Sequence, residues 1–262
     1  MSVLTVNFMS KCLNRNVTYK AIIPIESSLE SDTVPPFKTL YLLHGMLGNC
    51  EDWITNTRIK KLATDHQLAV IMPSGDNSFY VDHQKRQDYY GRFIGEELIN
   101  HSRAMFPLSK NRADTFIAGL SMGGYGAIRN GLKYHDTFSH IGGFSSGLIL
   151  DEAINAPIEH ETFFRTRDYF ESIFGDLTQL SGSDCDYYAL IKKLKTENLE
   201  IPKLYLSCGT EDYLLVNNRE YRDFLTSENI EFTYIESKGE HDWCFWDEYI
   251  EKFLEWLPIH SK

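Results

Sequence analysis

Thr115-Phe116-Ile117-Ala118-Gly119-Leu120-Ser121-Met122-Gly123-Gly124-Tyr125-Gly126-Ala127 sets one serine between two glycines at G-x-S-x-G spacing, directly after an apolar run. The spacing describes a nucleophile elbow, in which a strand reverses sharply into a helix and the serine at the apex takes a strained backbone conformation. Only small neighbours two positions before and after leave room for it. The flanking context is readable on both sides, with a β-type run at 115–118 before the serine and a helical pattern at 125–133 after it. A five-residue match without that context would carry little weight.

Outward from the elbow, short apolar or β-branched runs recur at 39–43, 68–72, 141–144, 203–207 and 231–235, the signature of strands buried on both faces. Helical patterns at 53–63, 92–105, 125–133, 217–227 and 245–257 separate them. Two earlier runs, 3–8 and 17–25, suit strands that open the sheet in antiparallel fashion. The alternation predicts an α/β fold, a mostly parallel central sheet with helices on both faces. Residues 147–201 break the rhythm with aromatic and charged pieces and no convincing strand, which predicts a helical insertion before the acid-bearing strand and near the site, with a cap over the pocket and a packing excursion away from it both open. The polar, proline-ended stretch 27–36 reads as a surface hairpin loop. Residues 1–262 are expected to form a single domain that includes the insertion.

The formal net charge of −11, with no basic run, argues against nucleic-acid binding. No window approaches the roughly 18 apolar residues of a membrane span, and residues 1–8 lack a secretory pattern. The expectation is a cytoplasmic protein without membrane association, and a homo-oligomer is open. Cys12, Cys50, Cys185, Cys208 and Cys244 are odd in number, scattered and never in a C-x-x-C pair, as suits reduced thiols. Cys208 and Cys244 each lie within four residues of a candidate catalytic group.

A serine nucleophile needs a base within hydrogen-bond reach, and the base needs an acid to fix its tautomer. The expected chain order is Ser, acid, His, each on a loop after a strand. Cys208-Gly209-Thr210-Glu211-Asp212-Tyr213 follows the run ending at Ser207, and Lys238-Gly239-Glu240-His241-Asp242-Trp243 follows the run ending at Ile235. Of nine histidines, His241 alone lies in the loop between the last strand and the last helix, and it is the candidate base. Asp212 is the preferred acid, with Glu211 in reserve. Asp242 is set aside because it adjoins the base in sequence. Oxyanion donors are expected at the backbone N–H of Met122 and, in the loop Leu42-Leu43-His44-Gly45-Met46-Leu47-Gly48, at that of Met46, with Leu47 in reserve. His44 is read as a buttress of that loop. Aromatic residues crowd these loops at Phe79-Tyr80, Tyr89-Tyr90, Tyr213, Trp243, Phe245 and Trp246, and Trp243 is the best pocket candidate. The chemistry needs neither metal nor organic cofactor.

Leu43-His44-Gly45-Met46, Gly119-Leu120-Ser121-Met122-Gly123-Gly124-Tyr125-Gly126-Ala127, Gly209-Thr210-Glu211-Asp212 and Gly239-Glu240-His241-Asp242-Trp243 together resemble the esterase D branch of the α/β-hydrolases, over almost the whole chain. That branch includes bacterial tributyrin esterases, S-formylglutathione hydrolases and feruloyl esterases. The resemblance implies an α/β-hydrolase fold and a serine carboxylesterase acting on short-chain acyl esters, of tributyrin or acetyl-ester type. It implies Ser121, Asp212 and His241 as triad and the Met46 and Met122 amides as oxyanion hole. S-Formylglutathione hydrolysis and feruloyl ester hydrolysis are the alternatives within the branch. An acyltransferase and a non-catalytic binding module are the alternatives outside it.

Overall fold

A computed structural model of the chain describes residues 1–25 and 35–259, so most of the hairpin loop expected at 27–36 lies outside the described residues. The strands are β1 (Ser2–Ser10), β2 (Arg15–Ile23), β3 (Thr39–Leu43), β4 (Ala69–Pro73), β5 (Asp82–His83), β6 (Asp88–Tyr89), β7 (Thr115–Leu120), β8 (His140–Phe144), β9 (Lys203–Gly209) and β10 (Phe232–Ser237). Eight of them form one sheet in the order β1-β2-β4-β3-β7-β8-β9-β10, while β5 and β6 pair apart. In the large sheet β1 and β2 run antiparallel, as does β2 against β4, and the remaining pairings are parallel, while β5 and β6 are antiparallel.

The continuous apolar runs supply two cores because side chains alternate across the sheet. Tyr41, Leu43, Ile71 and Ile117 point into one core, and Leu40, Leu42, Val70, Phe116 and Ala118 into the other. The α-helices of five or more residues are α1 (Asp52–Asn56), α2 (Ile59–Asp65), α3 (Leu98–Met105), α4 (Met122–Lys133), α5 (Leu150–Ile154), α6 (Arg167–Phe174), α7 (Tyr187–Thr196), α8 (Leu215–Ser227) and α9 (Trp243–Trp256). α2 and α9 cover the second core with Ile59, Leu62, Tyr249, Ile250 and Phe253. α3 and α4 cover the first with Leu98, Ile99, Ala127 and Ile128. Among the described residues no helix is long and apolar enough to cross a membrane.

The structure revises several boundaries. The helix expected over 53–63 is two helices, because Thr57 is extended and the Arg58 N–H and guanidinium are both held by Asp247 on α9. The pattern over 92–105 contains a π-helical turn, Phe93–Glu97, with Gly95 packed against the Tyr134 ring. β5 and β6 are two residues each, too short for periodicity to register. Between β8 and β9 the described chain holds α5, α6 and α7 and no strand, as expected of the insertion.

This insertion is fastened to the helix behind the elbow. Arg129, wholly buried, donates from Nε to the Asp184 carbonyl at 2.9 Å and from Nη2 to the Asp184 carboxylate at 2.7 Å. One turn earlier on α4, the Tyr125 hydroxyl donates to the Cys185 carbonyl at 2.7 Å. An uncompensated buried guanidinium is costly, so Asp184 is the partner α4 requires.

His140, at the start of β8, packs edge-on between Phe116 and Trp256, and burial with nearby Lys203 and Arg112 lowers its pKa to about 4. Below the ordinary value of 6.5 the unfolded chain takes up a proton that the folded chain refuses. Stability is therefore expected to fall as pH drops from about 6.5 and to stop falling from this source near pH 4. His140→Phe keeps a ring in place and removes the titrating group, so denaturation midpoints measured across that window should flatten. A wild-type slope in the variant would assign the acid sensitivity elsewhere.

Candidate active site

Ser121 stands at the junction of β7 and α4 with φ 52° and ψ −119°, a conformation that costs a non-glycine residue about 1–3 kcal/mol. The reversal brings backbones so close that a Cβ on Gly119 would lie 2.3 Å from the Gly123 carbonyl oxygen. A Cβ on Gly123 would lie 2.5 Å from the carbonyl oxygens of Leu43 and His44. The turn is locked to the next strand: the Ser121 N–H donates to the Phe144 carbonyl at 2.9 Å, and its own carbonyl accepts from Gly147 at 2.8 Å.

Two further strand ends converge on this serine. His241, after β10, places Nε2 at 3.0 Å from the Ser121 hydroxyl and Nδ1 at 2.9 Å from the Asp212 carboxylate. Asp212, after β9, has a fully buried side chain whose second oxygen accepts from the Leu214 N–H at 2.8 Å. Burial alone would raise the carboxyl pKa. Hydrogen bonds from His241, Leu214 and Ser145 outweigh it and hold Asp212 below its ordinary value, hence ionised. The imidazole lies between two aromatic walls, Tyr213 tilted at 4.5 Å and Trp246 edge-on at 4.9 Å.

Glu211 is not brought to the histidine; its N–H bonds the Gly239 carbonyl and its side chain is exposed. Asp242 caps α9, accepting from the Phe245 N–H at 3.0 Å. Both ring nitrogens of His44 are used by backbone, Nδ1 at 2.7 Å from the Gly45 carbonyl and Nε2 accepting from the Gly75 N–H at 2.8 Å. Burial lowers its pKa, and a neutral ring so engaged braces the β3 loop instead of moving protons. Of the two candidate amides in that loop, Leu47 N–H is already given to Asn77 Oδ1 at 2.7 Å, and Met46 borders both clefts beside Ser121. Met122 N–H heads α4, where first-turn amides have no intrahelical acceptor. Leu47, at φ 63°, is held in its turn by that Asn77 bond, a contact for which the sequence carries no signal.

Ser121 lies where two clefts meet. One, of about 400 Å³, contains His241 with Gly48, Asp52, Trp243 and Trp246. The other, of about 280 Å³, lacks His241 and is lined by Met122, Phe79, Phe170, Leu214, Ile149 and Arg165. Met46, Phe164 and Tyr213 border both. Of the aromatic residues singled out in sequence, Trp243, Trp246, Tyr213 and Phe79 therefore reach the site. Tyr80 lies beneath it, its hydroxyl donating to the His44 carbonyl, and Phe245 is buried against Tyr249. Tyr90 instead donates to Asp76, and Tyr89 borders a separate cavity. Cys208 is wholly buried and Cys244 exposed, and none of the five cysteines forms a disulfide.

A family model described as Putative esterase matches residues 10–257. The chain is 43% identical to an acetyl esterase of Caldicellulosiruptor saccharolyticus over 264 residues, covering 98% of each. Among solved structures it is similar to the fluorophosphonate-binding serine hydrolase F of Staphylococcus aureus, with a TM-score of 0.88, 32% identity and 99% of each chain covered. It is likewise similar to an S-formylglutathione hydrolase of the same organism, with a TM-score of 0.85 at 32% identity and 99% coverage of each. The α/β-hydrolase fold expected from the sequence is the fold observed.

Asn77→Ala removes the acceptor that holds the Leu47 amide and so loosens the loop carrying Met46 N–H. It should lower kcat toward p-nitrophenyl butyrate by about tenfold, the worth of one hydrogen bond, with KM little changed. Steady-state kinetics at saturating ester would expose a kcat equal to wild type, and with it a loop that keeps its shape unaided.

Proposed function

The chain belongs to the family of putative esterases, and from that premise we propose that it is a serine carboxylesterase whose Ser121, His241 and Asp212 cleave short-chain acyl esters through an acyl-enzyme. The observation that carries this reading is the continuous hydrogen-bonded line from the Ser121 hydroxyl through both nitrogens of His241 to a buried, ionised Asp212.

His241 Nε2 takes the hydroxyl proton as Ser121 Oγ bonds the ester carbonyl carbon, and the carbonyl oxygen becomes an oxyanion. The Met46 and Met122 amides donate to that oxygen, with no reorganisation needed as charge develops. The imidazolium, paired with Asp212, returns the proton to the leaving alkoxide. Water then bonds the acyl carbon as His241 takes its proton, and His241 returns that proton to Ser121 Oγ as the C–Oγ bond breaks and the acid leaves. Nothing in these steps calls on a metal or cofactor.

The two clefts fit the two halves of an ester. The tetrahedral carbon carries Ser121 Oγ, the oxyanion, the acyl chain and the leaving oxygen, and the leaving oxygen has to reach His241 Nε2. The cleft holding His241 with Trp243 and Trp246 therefore suits the alcohol. The second cleft suits the acyl chain, and its buried floor of Phe79, Met122, Phe170 and Leu214 has room beyond an acetyl group. A thioester reading has one observation in its favour, the similarity to the staphylococcal S-formylglutathione hydrolase. Ranking acetyl, butyryl and feruloyl oxygen esters against a formyl thioester by kcat/KM separates the two.

Ser121→Ala should lower kcat by on the order of 10⁴ or more and abolish labelling by a fluorophosphonate probe, with the fold intact by circular dichroism. Retained turnover would sink the assignment. On its acid side kcat/KM should climb with pH, because only neutral imidazole can accept the serine proton. Trp243→Ala should change aryl or chain-length preference across the ester panel, and an unchanged ranking would remove Trp243 from the pocket.

A further inference from the structure

The cleft that holds His241 is walled by aromatic rings. Trp243 and Trp246 line it at 89° to one another, with ring centroids 5.1 Å apart. Both walls are fixed from behind. The Trp246 indole N–H is given to Ser145 Oγ at 3.2 Å. Trp243 packs at 86° to Trp53, 5.5 Å between centroids, and the Trp53 N–H is given to the Leu43 carbonyl at 3.0 Å. Trp243 is only partly buried, so its ring keeps surface for a ligand.

The cleft also carries an unanswered charge. Asp52, the first residue of α1, rests its carboxylate against the β3 loop where a Cβ on Gly48 would lie 2.0 Å from Oδ2. Oδ1 accepts from the Asn49 N–H at 3.2 Å, and among the described residues no lysine or arginine pairs with either oxygen. Cations near it in the chain or at its neighbour Glu51 are committed: Lys20 to Glu51 at 2.7 Å, and Arg58 to Asp247 and Glu251 at 2.7 and 2.8 Å. The cleft lining includes neither lysine nor arginine, whereas the second cleft has both signs in Glu152 and Arg165. The charge that His241 takes on during attack is answered by Asp212 at 2.9 Å, which leaves Asp52 without a counter-charge.

We propose that this cleft selects esters whose alcohol half carries a positively charged ammonium group, held against Trp243 and Trp246 with Asp52 as its counter-ion. A choline ester is the simplest member of the class. The inference rests on the reading of Ser121, His241 and Asp212 given above, which places the leaving alcohol beside His241. A cation over an aromatic face is attracted by the ring quadrupole, most strongly at tryptophan, and a carboxylate within the same cleft adds Coulombic attraction. A neutral polyol finds rings and an acceptor there too, but only a cation neutralises the Asp52 charge. The net charge of −11 draws cations to the whole surface, and Asp52 is one of 37 acidic residues, so a variant at this one position separates the cleft from the general field.

The test measures a selectivity ratio: kcat/KM for acetylcholine over that for 3,3-dimethylbutyl acetate, its uncharged carbon isostere, each divided by the ester's own rate of hydrolysis by hydroxide. Wild type should give a ratio of about ten, the product of a cation–π contact and a screened ion pair each worth about threefold. Asp52→Asn keeps the size and removes the charge, and should cut the ratio about threefold. Trp243→Leu keeps apolar bulk and removes the ring, and should cut it by a similar factor. If Asp52→Asn fails to fold, added salt replaces it, since the wild-type ratio must fall as ionic strength rises. A wild-type ratio of one or less would overturn the proposal, as would a ratio that salt and Asp52→Asn leave unchanged. A loss on Glu152→Gln but not on Asp52→Asn would move the cation to the second cleft and overturn it equally. Preference for glycerol monoacetate over acetylcholine would give the cleft to polyols instead. Ser121→Ala, run alongside, separates the two levels: if it still turns over both acetates, the underlying reading fails, whereas if it loses both and the wild-type ratio is one, only the class of alcohol fails.

Discussion

The approach of two backbones at Gly123 is the constraint on which the rest of the site hangs. With 2.5 Å between a would-be Cβ and the carbonyls of Leu43 and His44, the first turn of α4 lies directly on the end of β3. Any side chain there would push the helix away from the sheet, and with it the Met122 amide from the Met46 amide. The strain at Ser121 is tolerated because the surrounding bonds to Phe144 and Gly147 over-determine it. The β3 loop is held as firmly from beneath, where His44 spends both ring nitrogens on backbone and accepts the Tyr80 hydroxyl at its carbonyl. Under the proposed reading, amides held this way are oriented before a substrate arrives.

Electrostatics then separates two histidine environments, one buried at His44 and one partly exposed at His241. His44 is desolvated, its nitrogens committed to a carbonyl and an amide, and nothing around it rewards a positive charge enough to offset burial. His241 faces a carboxylate that three hydrogen bonds keep ionised despite burial, so an imidazolium formed there has its counter-charge in place. Ring type is the same in both; the partner at Nδ1 differs, a carbonyl in one and a carboxylate in the other.

The elbow, the parallel strands and the order Ser121, Asp212, His241 were legible in sequence because each depends on local spacing: glycine two positions either side of a serine, apolar runs of strand length, and polar residues one loop after a strand. Asp212 and Glu211 could not be separated by spacing with the same force, since adjacent residues on one loop differ only in direction. The β9–β10 register and the Leu214 amide decide that direction. Helix breaks were illegible where the cause was distant, as with Arg58, held by Asp247 from 189 residues away. Asn77 and Ser145 escaped notice for the same reason. Nothing in their neighbours in sequence distinguishes them, and their partners arrive only once the sheet is assembled.

The insertion shows how specificity can vary while the chemistry does not. β7, α4 and the ends of β9 and β10 carry Ser121, Asp212 and His241, and the elbow between β7 and α4 is set by glycine contacts that leave no freedom. The segment between β8 and β9 is fastened by different means: Arg129 and Tyr125 on α4 grip Asp184 and Cys185. Between that anchor and β8, the chain from Gly147 to Phe170 supplies one side of the second cleft, with Ile149, Phe164 and Arg165 at its wall and rim. Only Phe164 of these also borders the cleft that holds His241. Substitutions or length changes in this stretch therefore reshape the space beside the nucleophile without passing through the elbow, the base or the acid. Because the anchor is a buried cation that needs its carboxylate, the same stretch can vary only between two fixed ends, Gly147 against the Ser121 carbonyl and Asp184 against Arg129. Under the proposed reading, that division gives the reaction to the sheet ends and the shape of the second cleft to a segment held at both ends.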